Sequence, residues 1–323
     1  MSIKVLVVDD SKLFRRFVSE ALSADPDIEI VGTASDGLEA VRLAKTLKPN
    51  VITMDVEMPR MDGIQAVRKI MREAPVPILM FSSLTHEGAK ATMEALEAGA
   101  ADFLPKKYGD LSSDKSESES YLRLRVKELA SQVKIRPVIE AETTGFTEPV
   151  KTEFHRVKRF KLVVLAASTG GPMALQKILA QLPENFPCPI IIVQHIPPSF
   201  STAFAERANQ TCALEVKELQ DKETIESGYV YVAPGGKQLE VEREGRQVRC
   251  RIIDPKPTDA FKPCIDDALF SISEVYGAAT LAVILTGMGN DGLSGCKVLK
   301  RRGGHVWAQD NVTSVVDGMP AAI

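Results

Sequence analysis

Long hydrophobic runs are missing from this sequence, and so is a large excess of charge of one sign. No stretch approaches the roughly 18 consecutive apolar residues of a membrane-spanning helix, so we exclude direct membrane insertion and predict a cytoplasmic protein. The 40 Lys and Arg residues are balanced by 43 Asp and Glu residues, giving a net charge of −3. This balance excludes a broad basic surface that would bind nucleic acid.

Cysteine is scarce and follows no metal-binding or disulfide pattern. The five residues are odd in number, and no two of them form a C-x-x-C pair. This spacing argues against a disulfide framework or a structural zinc site and favours dispersed, reduced thiols. The cysteines are Cys188, Cys212, Cys250, Cys264 and Cys296.

What the sequence does contain is the composition of a globular protein, with 44% hydrophobic and 26% charged residues. Its 323 residues suffice for roughly two domains of about 150 residues each. We predict a first domain over residues 1–134 and a second over 159–323. Residues 135–158 mix Pro, Thr and Glu without periodicity and are predicted to be a linker.

Both predicted domains alternate short apolar runs with amphipathic helical patterns, which is typical of α/β folds with parallel sheets. The first domain has predicted strands at IKVLVVDD, IEIVGTA, PNVITMD, VPILMFSS and AADFLPK. Helical stripes in it contain Leu13, Phe14, Phe17, Val18 and Leu22, and then Leu122, Val126, Leu129 and Val133. The second domain has predicted strands at KLVVLAAS, CPIIIVQH, GYVYVAP and LAVILTG, a hairpin at KQLEVEREGRQVRCRIID, and helices near Pro172–Gln181 and Asp259–Val275.

Acidic residues end two strands of the first domain. Asp9 and Asp10 follow the first strand, and Asp55 ends the third. Because the carboxyl ends of parallel strands open onto one crevice, we expect these acids to converge and to suit Mg²⁺. The fourth strand ends at Ser82 and the fifth near Lys106, which could bind a phosphoryl group there. The alternative is that each Asp caps the following helix.

These motifs resemble the receiver domain of two-component response regulators, which has a flavodoxin-like fold. The resemblance rests on VVDDS, ITMDVEMPRMDG, FSS and AADFLPK. It implies that Asp55 is the phospho-acceptor, that Asp9, Asp10 and Asp55 hold Mg²⁺, and that Ser82 and Lys106 contact the phosphoryl group. Phe103 matches the switch aromatic of such domains. Lys107 departs from the pattern, since receivers usually carry proline there.

The stretch VVLAASTGGP places Ser168 after a strand and before a glycine-rich turn and a helix. Such a serine is exposed at the sheet edge, near backbone N–H groups and the positive end of a helix dipole, as a nucleophile requires. His195 ends the next strand and could act as its base. Asp291 follows another strand and could orient the imidazole.

Each of these residues also has a simpler interpretation. Ser168 alone could be a turn residue or part of a phosphate-binding loop, His195 a structural histidine, and Asp291 a turn former or helix cap. The combined hypothesis is stronger because all three lie at strand ends on one expected edge. His86, His155 and His305 have no such setting and are interpreted as structural or surface residues.

With the second domain included, the chain resembles the chemotaxis protein-glutamate methylesterases, through AASTGGP, VQHIPPSF, YVAPGGKQL and LTGMGNDG. The resemblance implies a doubly wound, mostly parallel catalytic domain that hydrolyses γ-glutamyl methyl esters on the helical region of methyl-accepting chemoreceptors. Some members also deamidate glutamines. Ser168, His195 and Asp291 would form the catalytic triad, with no cofactor needed for ester hydrolysis. Backbone N–H groups near Thr169 and Met288 are candidates for the oxyanion hole.

The resemblance also implies a regulatory arrangement. A chemotaxis histidine kinase would phosphorylate Asp55, and the unphosphorylated receiver would pack over the catalytic crevice until phosphorylation loosened it. Two features differ from the family pattern: family members usually continue through another helix beyond Ile323, and many have an aromatic residue in place of Asp317.

Two other functions deserve comparison. A nucleotide-binding second domain could use STGGP as a phosphate loop, but neither G-x-G-x-x-G nor G-x-x-x-x-G-K-[ST] is present. A DNA-binding output domain would predict a short, basic helix-turn-helix module, which a long α/β pattern does not suit.

Overall fold

The fold is taken from a computed structural model, which describes residues 2–106, 115–132 and 160–323. The predicted linker at 135–158 lies outside these residues, as do Lys107, Val133 and His155. The domain boundaries therefore stay predictions. Within the described ranges, no helix is long and apolar enough to cross a membrane.

The first domain is a five-stranded parallel sheet in the order β2-β1-β3-β4-β5, with every predicted strand present. Strands β3 and β4 are buried along their whole length, as expected for continuous apolar runs covered by helices on both faces. The strands are β1 (Ile3–Val8), β2 (Ile28–Ala34), β3 (Val51–Asp55), β4 (Ile78–Ser82) and β5 (Asp102–Pro105). The helices are α1 (Lys12–Ser23), α2 (Gly37–Leu47), α3 (Gly63–Glu73), α4 (His86–Glu97) and α5 (Lys115–Gln132).

The helical stripe of α1 is only partly as predicted. Phe14, Val18 and Leu22 are buried against the sheet, and Ser11 caps the helix by accepting from the Phe14 N–H. Leu13 is 77% exposed, so its inclusion in the buried stripe was wrong. At 100° per residue it lies on the flank of the helix rather than facing the sheet.

The second domain is a six-stranded parallel sheet in the order β13-β12-β6-β7-β9-β8, beside a separate antiparallel hairpin. Its strands are β6 (Leu162–Ala167), β7 (Ile190–Gln194), β8 (Glu215–Glu218), β9 (Tyr229–Val232), β10 (Gln238–Glu244), β11 (Gln247–Ile253), β12 (Thr280–Ile284) and β13 (His305–Ala308). Its helices are α6 (Gly171–Leu179), α7 (Pro198–Thr211), α8 (Ile265–Val275), α9 (Leu293–Arg301) and α10 (Gly318–Ala322), with a 3-10 turn at Gly277–Ala279.

Two proline-containing segments differ from the sequence-based expectation. Helix α8 begins at Ile265 rather than Asp259, because Pro263 lacks an N–H and cannot lie inside a helix. Helix α7 was not predicted, and it begins directly at Pro198, which lies in the first turn, where its missing N–H costs nothing.

The two domains share a continuous buried cluster. Helix α4 of the first domain packs against α6 and α7 of the second. The ring of Phe103 stacks on that of Phe200 in α7, with centroids 4.5 Å apart and planes 16° from parallel. The predicted switch aromatic therefore lies in the contact between the domains.

Candidate active site and acidic pocket

The acidic residues of the first domain converge at the carboxyl edge of its sheet. Carboxylate oxygens of Asp9, Asp10 and Asp55 all lie within 4.8 Å of one another. Lys106, which follows β5, reaches the same point: its Nζ is 2.6 Å from Asp9 Oδ2 and 2.7 Å from Asp55 Oδ2. The acids and lysine predicted from three strand ends thus form one pocket.

The helix-cap interpretation of these acids is wrong. The helix after β1 is capped by Ser11, and the helix after β3 is capped by Asp62. Asp9 instead accepts from the Ser11 N–H at 2.8 Å, within the loop. The carboxylates of Asp10 and Asp55 are left facing the pocket.

The electrostatics of this pocket suit a divalent cation. Burial raises the pKa of Asp55 to about 6, the charges of Asp9 and Asp10 add to the rise, and Lys106 opposes it. A carboxylate held among other carboxylates gains from added positive charge, and Mg²⁺ prefers oxygen ligands. The donor set of Asp9, Asp10 and Asp55 therefore fits Mg²⁺.

Ser82 lies at the end of β4, as predicted, and its hydroxyl is hydrogen-bonded to the helix that follows. Its Oγ donates to the carbonyl oxygen of Gly88, in the first turn of α4, at 2.9 Å. Movement of this hydroxyl toward the pocket would break a hydrogen bond to α4. Ser82 thus connects the acidic pocket to the helix that packs on the second domain.

In the second domain, Ser168, His195 and Asp291 form one chain of hydrogen bonds. They follow the adjacent strands β6, β7 and β12, whose parallel pairing brings the three residues to one edge of the sheet. His195 Nδ1 is 3.1 Å from Ser168 Oγ, and His195 Nε2 is 2.7 Å from Asp291 Oδ2. The ring is reversed relative to the common serine-protease arrangement, in which Nε2 faces the serine.

Close backbone approaches hold the nucleophile turn in place. A Cβ on Gly171 would lie 2.0 Å from Gln194 Oε1, so only glycine allows this approach of α6 to β7. The side chain of Gln194 uses its Nε2 to donate to the carbonyl oxygen of Ser168 at 2.8 Å and to that of His195 at 3.1 Å. The serine and histidine are therefore tied together by backbone as well as side-chain contacts.

Asp291 is held by the N-terminus of α8. Its carboxylate accepts from the N–H groups of Ile265 at 2.8 Å and Asp266 at 3.0 Å, from its neighbour Gly292 at 2.9 Å, and from the Cys264 thiol. Burial raises the pKa of this group, but His195 and the two α8 N–H groups outweigh burial and lower it. The helix-cap interpretation was thus right in part, since Asp291 caps α8 while it also binds His195.

The candidate oxyanion donors lie beside the nucleophile. Thr169 is its chain neighbour, and Met288 follows Gly287, where a Cβ would lie 2.9 Å from the Cβ of Ser168. Within the described residues, the backbone N–H groups of Thr169 and Met288 make no hydrogen bond. Two donors without partners near a nucleophile suit an oxyanion.

Two residues of this site were missed by the sequence reasoning. The ring of Phe261 stacks on His195 with centroids 4.3 Å apart and planes 5° from parallel. Arg125, from α5 of the first domain, donates to the hydroxyl of Thr169 and lies 3.6 Å from Met288 Sδ. No motif marks either residue, because both reach the site across distances that the sequence does not reveal.

Arg125 is anchored within its own domain. Its guanidinium pairs with Asp102, the first residue of β5, and only 6% of the arginine is exposed. Burial raises the pKa of Asp102, and the charge of Arg125 opposes this rise. The first domain therefore places a buried cation on the side chains of both candidate oxyanion residues.

The other histidines stand outside the triad. His86 lies in α4 with its Nε2 3.3 Å from Glu206 of α7, and His305 lies in β13, where its ring meets that of Phe160 edge-on. Both positions agree with the structural or surface interpretation.

Fold and site together define a class: a two-domain α/β protein with a lysine-bound acidic pocket in one parallel sheet and a Ser-His-Asp arrangement in the other. Family models for the response regulator receiver domain and for CheB methylesterase match residues 5–112 and 163–323. Protein-glutamate methylesterase/protein-glutamine glutaminase of Aliivibrio fischeri is 46% identical over 350 residues, covering 100% of this chain and 93% of the relative. The enzyme of the same name from Vibrio parahaemolyticus is 48% identical over 343 residues, with the same coverage. The chain belongs to the protein-glutamate methylesterase/protein-glutamine glutaminase family.

Solved structures resemble each half separately. The Thermotoga maritima CheB methylesterase catalytic domain is 42% identical, covers 50% of this chain and 86% of that one, and gives a TM-score of 0.49. The response regulator domain of Thermotoga maritima CheB is 46% identical, covers 39% of this chain and 95% of that one, and gives a TM-score of 0.36.

Proposed function

We propose that this protein is a phosphorylation-activated serine hydrolase that removes methyl groups from glutamyl methyl esters of chemoreceptors, releases methanol, and deamidates receptor glutamines in sensory adaptation. The observation that carries the proposal is the unbroken hydrogen-bond chain from Ser168 through His195 to Asp291. In a chain of this family, that arrangement supports acyl transfer to water.

Hydrolysis proceeds in two steps. The Nε2–H of His195 donates to ionised Asp291, which leaves Nδ1 free to accept the Ser168 proton as Oγ attacks the ester carbonyl. The imidazolium then protonates the departing methoxide, which leaves as methanol, and an acyl-enzyme remains. Water, deprotonated by Nδ1, attacks the acyl carbon, and Ser168 recovers its proton as the glutamate carboxylate is released. For a glutamine, ammonia replaces methanol.

Two further groups stabilise the charges that form in these steps. The negative oxygen of each tetrahedral intermediate receives hydrogen bonds from the backbone N–H groups of Thr169 and Met288, and one such donor is typically worth about 3 to 4 kcal/mol. The positive imidazolium is balanced by Asp291, whose lowered pKa keeps it ionised at neutral pH.

The acidic pocket supplies the phosphorylation site. Asp55 accepts the phosphoryl group from a chemotaxis histidine kinase, and Asp9, Asp10 and Asp55 would hold Mg²⁺. When bound, Mg²⁺ supplies positive charge that offsets the phosphoryl and carboxylate oxygens. Lys106, already paired with Asp9 and Asp55, binds the phosphoryl group, and the Ser82 hydroxyl turns from Gly88 toward it.

Regulation follows from the contacts between the domains. Arg125 lies on the Thr169 side chain, where the carbonyl of a substrate must enter, so the unphosphorylated receiver blocks the crevice. A turn of Ser82 toward the phosphoryl group releases α4, which packs on the second domain beside Phe103 and Phe200. Loosening of this contact withdraws Arg125 and opens the site.

The competing hypothesis of a DNA-binding output module is wrong, because the second domain is a six-stranded α/β sheet rather than a short helix-turn-helix. The nucleotide-binding hypothesis would leave the Ser168–His195 contact without a role. Family membership favours hydrolysis over both.

The test is methanol release from methylated receptor membranes in the presence of Mg²⁺, with and without a small-molecule phosphodonor. We expect release to rise with phosphodonor in the parent protein, to lose that rise in Asp55→Ala, and to vanish in Ser168→Ala. Methanol release by Ser168→Ala at the parent rate would overturn the triad assignment and make a phosphate-binding turn the leading interpretation of that serine.

A further inference from the structure

Helices α6 and α7 both start at the catalytic residues and together form a face that α4 covers. Helix α6 begins at Gly171, shortly after Ser168, and α7 begins at Pro198, shortly after His195. The apolar side of α4 packs on both helices and joins their buried cluster. We call this surface of α6 and α7 the α6–α7 face. It already accommodates one amphipathic helix, α4, in the unphosphorylated protein.

The polar contacts across the α6–α7 face pair opposite charges. Arg207 of α7 binds Glu97 of α4 with both arms of its guanidinium, Nε to Oε1 and Nη2 to Oε2, each at 2.7 Å. One residue earlier, Glu206 is 2.9 Å from Lys90 Nζ. The planar guanidinium of Arg207 is thus matched to a glutamate carboxylate carried on a helix.

This ion pair is open to exchange with another carboxylate. The side chain of Arg207 is 38% exposed and that of Glu97 is 28% exposed, so water reaches both groups and the pair can separate without stranding a fully buried charge. When the receiver withdraws, Arg207 is left on the open part of α7, nine residues after the start of the helix at Pro198. A further role for this arginine is therefore expected in the open state.

The shape of the substrate points to that role. The glutamyl esters implied by family membership lie on a helical region, so the substrate must lay a helix across a surface bordering Ser168. From Pro198 to Arg207, α7 extends about 14 Å, or about two and a half helical turns. A substrate helix along the α6–α7 face would bring other glutamates to Arg207 while one ester lies at Ser168. Each hydrolysis leaves one more carboxylate on that helix.

We propose that the α6–α7 face docks the acidic helix of the substrate, that Arg207 binds a glutamate carboxylate on it, and that α4 occupies the same face in the resting protein through Glu97. This proposal rests on the function proposed above, since it takes the substrate from it.

The test measures binding without turnover. The full-length Ser168→Ala protein, with acetyl phosphate and Mg²⁺, is sedimented with membranes that contain methylated receptor. We expect Arg207→Ala in this background to bind about fivefold more weakly and to lose part of the salt dependence of binding. Arg207→Lys keeps the positive charge but cannot bind both oxygens of one carboxylate as the guanidinium does. In the Ser168→Ala background, its binding should be weaker than with Arg207 and stronger than with Arg207→Ala. Alanine is a good helix former, so α7 should fold in the variant.

Glu97→Gln is the matched control, because it breaks the same ion pair and leaves Arg207 intact. If Arg207 only holds the domains together, the two variants will behave alike, and the docking proposal fails. Equal binding of the Ser168→Ala protein to membranes lacking receptor would also overturn it, because lipid would then be the ligand. Methanol release by the parent protein on the same membranes tests the proposed function separately, so either proposal can fail without the other.

Discussion

At the scale of single residues, Asp291 combines two roles that are usually assigned to different groups. Its carboxylate binds Nε2 of His195 and also accepts from the first N–H groups of α8. Because the helix N-terminus carries partial positive charge, it helps to keep the carboxylate ionised beside His195, which becomes positive in the mechanism proposed above. The position of the triad acid is therefore fixed by a whole helix rather than by its own loop alone.

Asp291→Asn should keep this geometry and remove the charge. An amide in that place cannot balance the imidazolium, and it can force the wrong tautomer on His195. We expect kcat for methanol release to fall on the order of 10³-fold or more, with little change in KM.

Asp266→Asn is the control, because Asp266 lies at the same helix end but accepts from the Gly295 N–H instead of contacting His195. Equal loss of activity in the two variants would mean that the helix end, and not the carboxylate at Asp291, is what the reaction needs.

The convergence of Ser168, His195 and Asp291 could be predicted from the sequence because Ser168 and His195 directly follow strands, Asp291 lies in the loop after a third, and a parallel sheet brings such loops to one edge. The orientation of the His195 ring could not be predicted, because the backbone path after β7 decides which ring nitrogen faces Ser168. Arg125 could not be predicted either. It lies beside the apolar stripe of Leu122 and Val126, and the sequence does not distinguish it from the neighbouring Arg123.

At the scale of elements, the turn between β6 and α6 depends on how closely α6 approaches β7. Gly171→Ala would place a Cβ 2.0 Å from Gln194 Oε1 and 2.7 Å from Ala167 Cβ. The side chain of Gln194 would have to move, and with it the hydrogen bonds that hold the carbonyls of Ser168 and His195. We expect a loss of about 1–3 kcal/mol in the free energy of unfolding, together with loss of methanol release.

Denaturant unfolding and methanol release measure the two effects. Gly245→Ala is the comparison: its φ of +61° is strained for alanine, but no atom lies within 4 Å of the added Cβ. It should lose some stability and keep its activity. Full activity in Gly171→Ala would show that the close approach does not position the nucleophile.

Strands were predictable where long apolar runs are buried on both faces, as in β3, β6 and β7. The short strands β8 and β13 were missed because their residues are partly exposed and lack an apolar run. Helix α7 was missed because Pro197 and Pro198 stand at its start, and the local preference of proline does not distinguish a break in the chain from a first helical turn.

At the scale of the whole molecule, one buried ion pair connects the receiver sheet to the catalytic crevice. Asp102 and Phe103 are neighbours in β5: the first holds Arg125, which lies on Thr169, and the second stacks on Phe200. Any movement of β5 relative to the second domain therefore shifts the guanidinium and the ring together. This coupling is the route by which phosphorylation of the acidic pocket, as proposed above, would change access to Ser168.

Removal of this ion pair should activate the protein without phosphorylation. The double variant Asp102→Asn/Arg125→Met avoids leaving a buried charge without its partner, which would destabilise the fold by about 3–5 kcal/mol. We expect methanol release without phosphodonor to rise about tenfold, as for the loss of one charged hydrogen bond, and the response to phosphodonor to shrink.

Arg123→Ala is the control, because Arg123 binds the Ala21 carbonyl at the far side of α5 and does not reach the crevice. If the double variant kept the low resting rate and the full phosphodonor response, Arg125 would not be what closes the site, and the blockage would have to come from the packing of α4 alone.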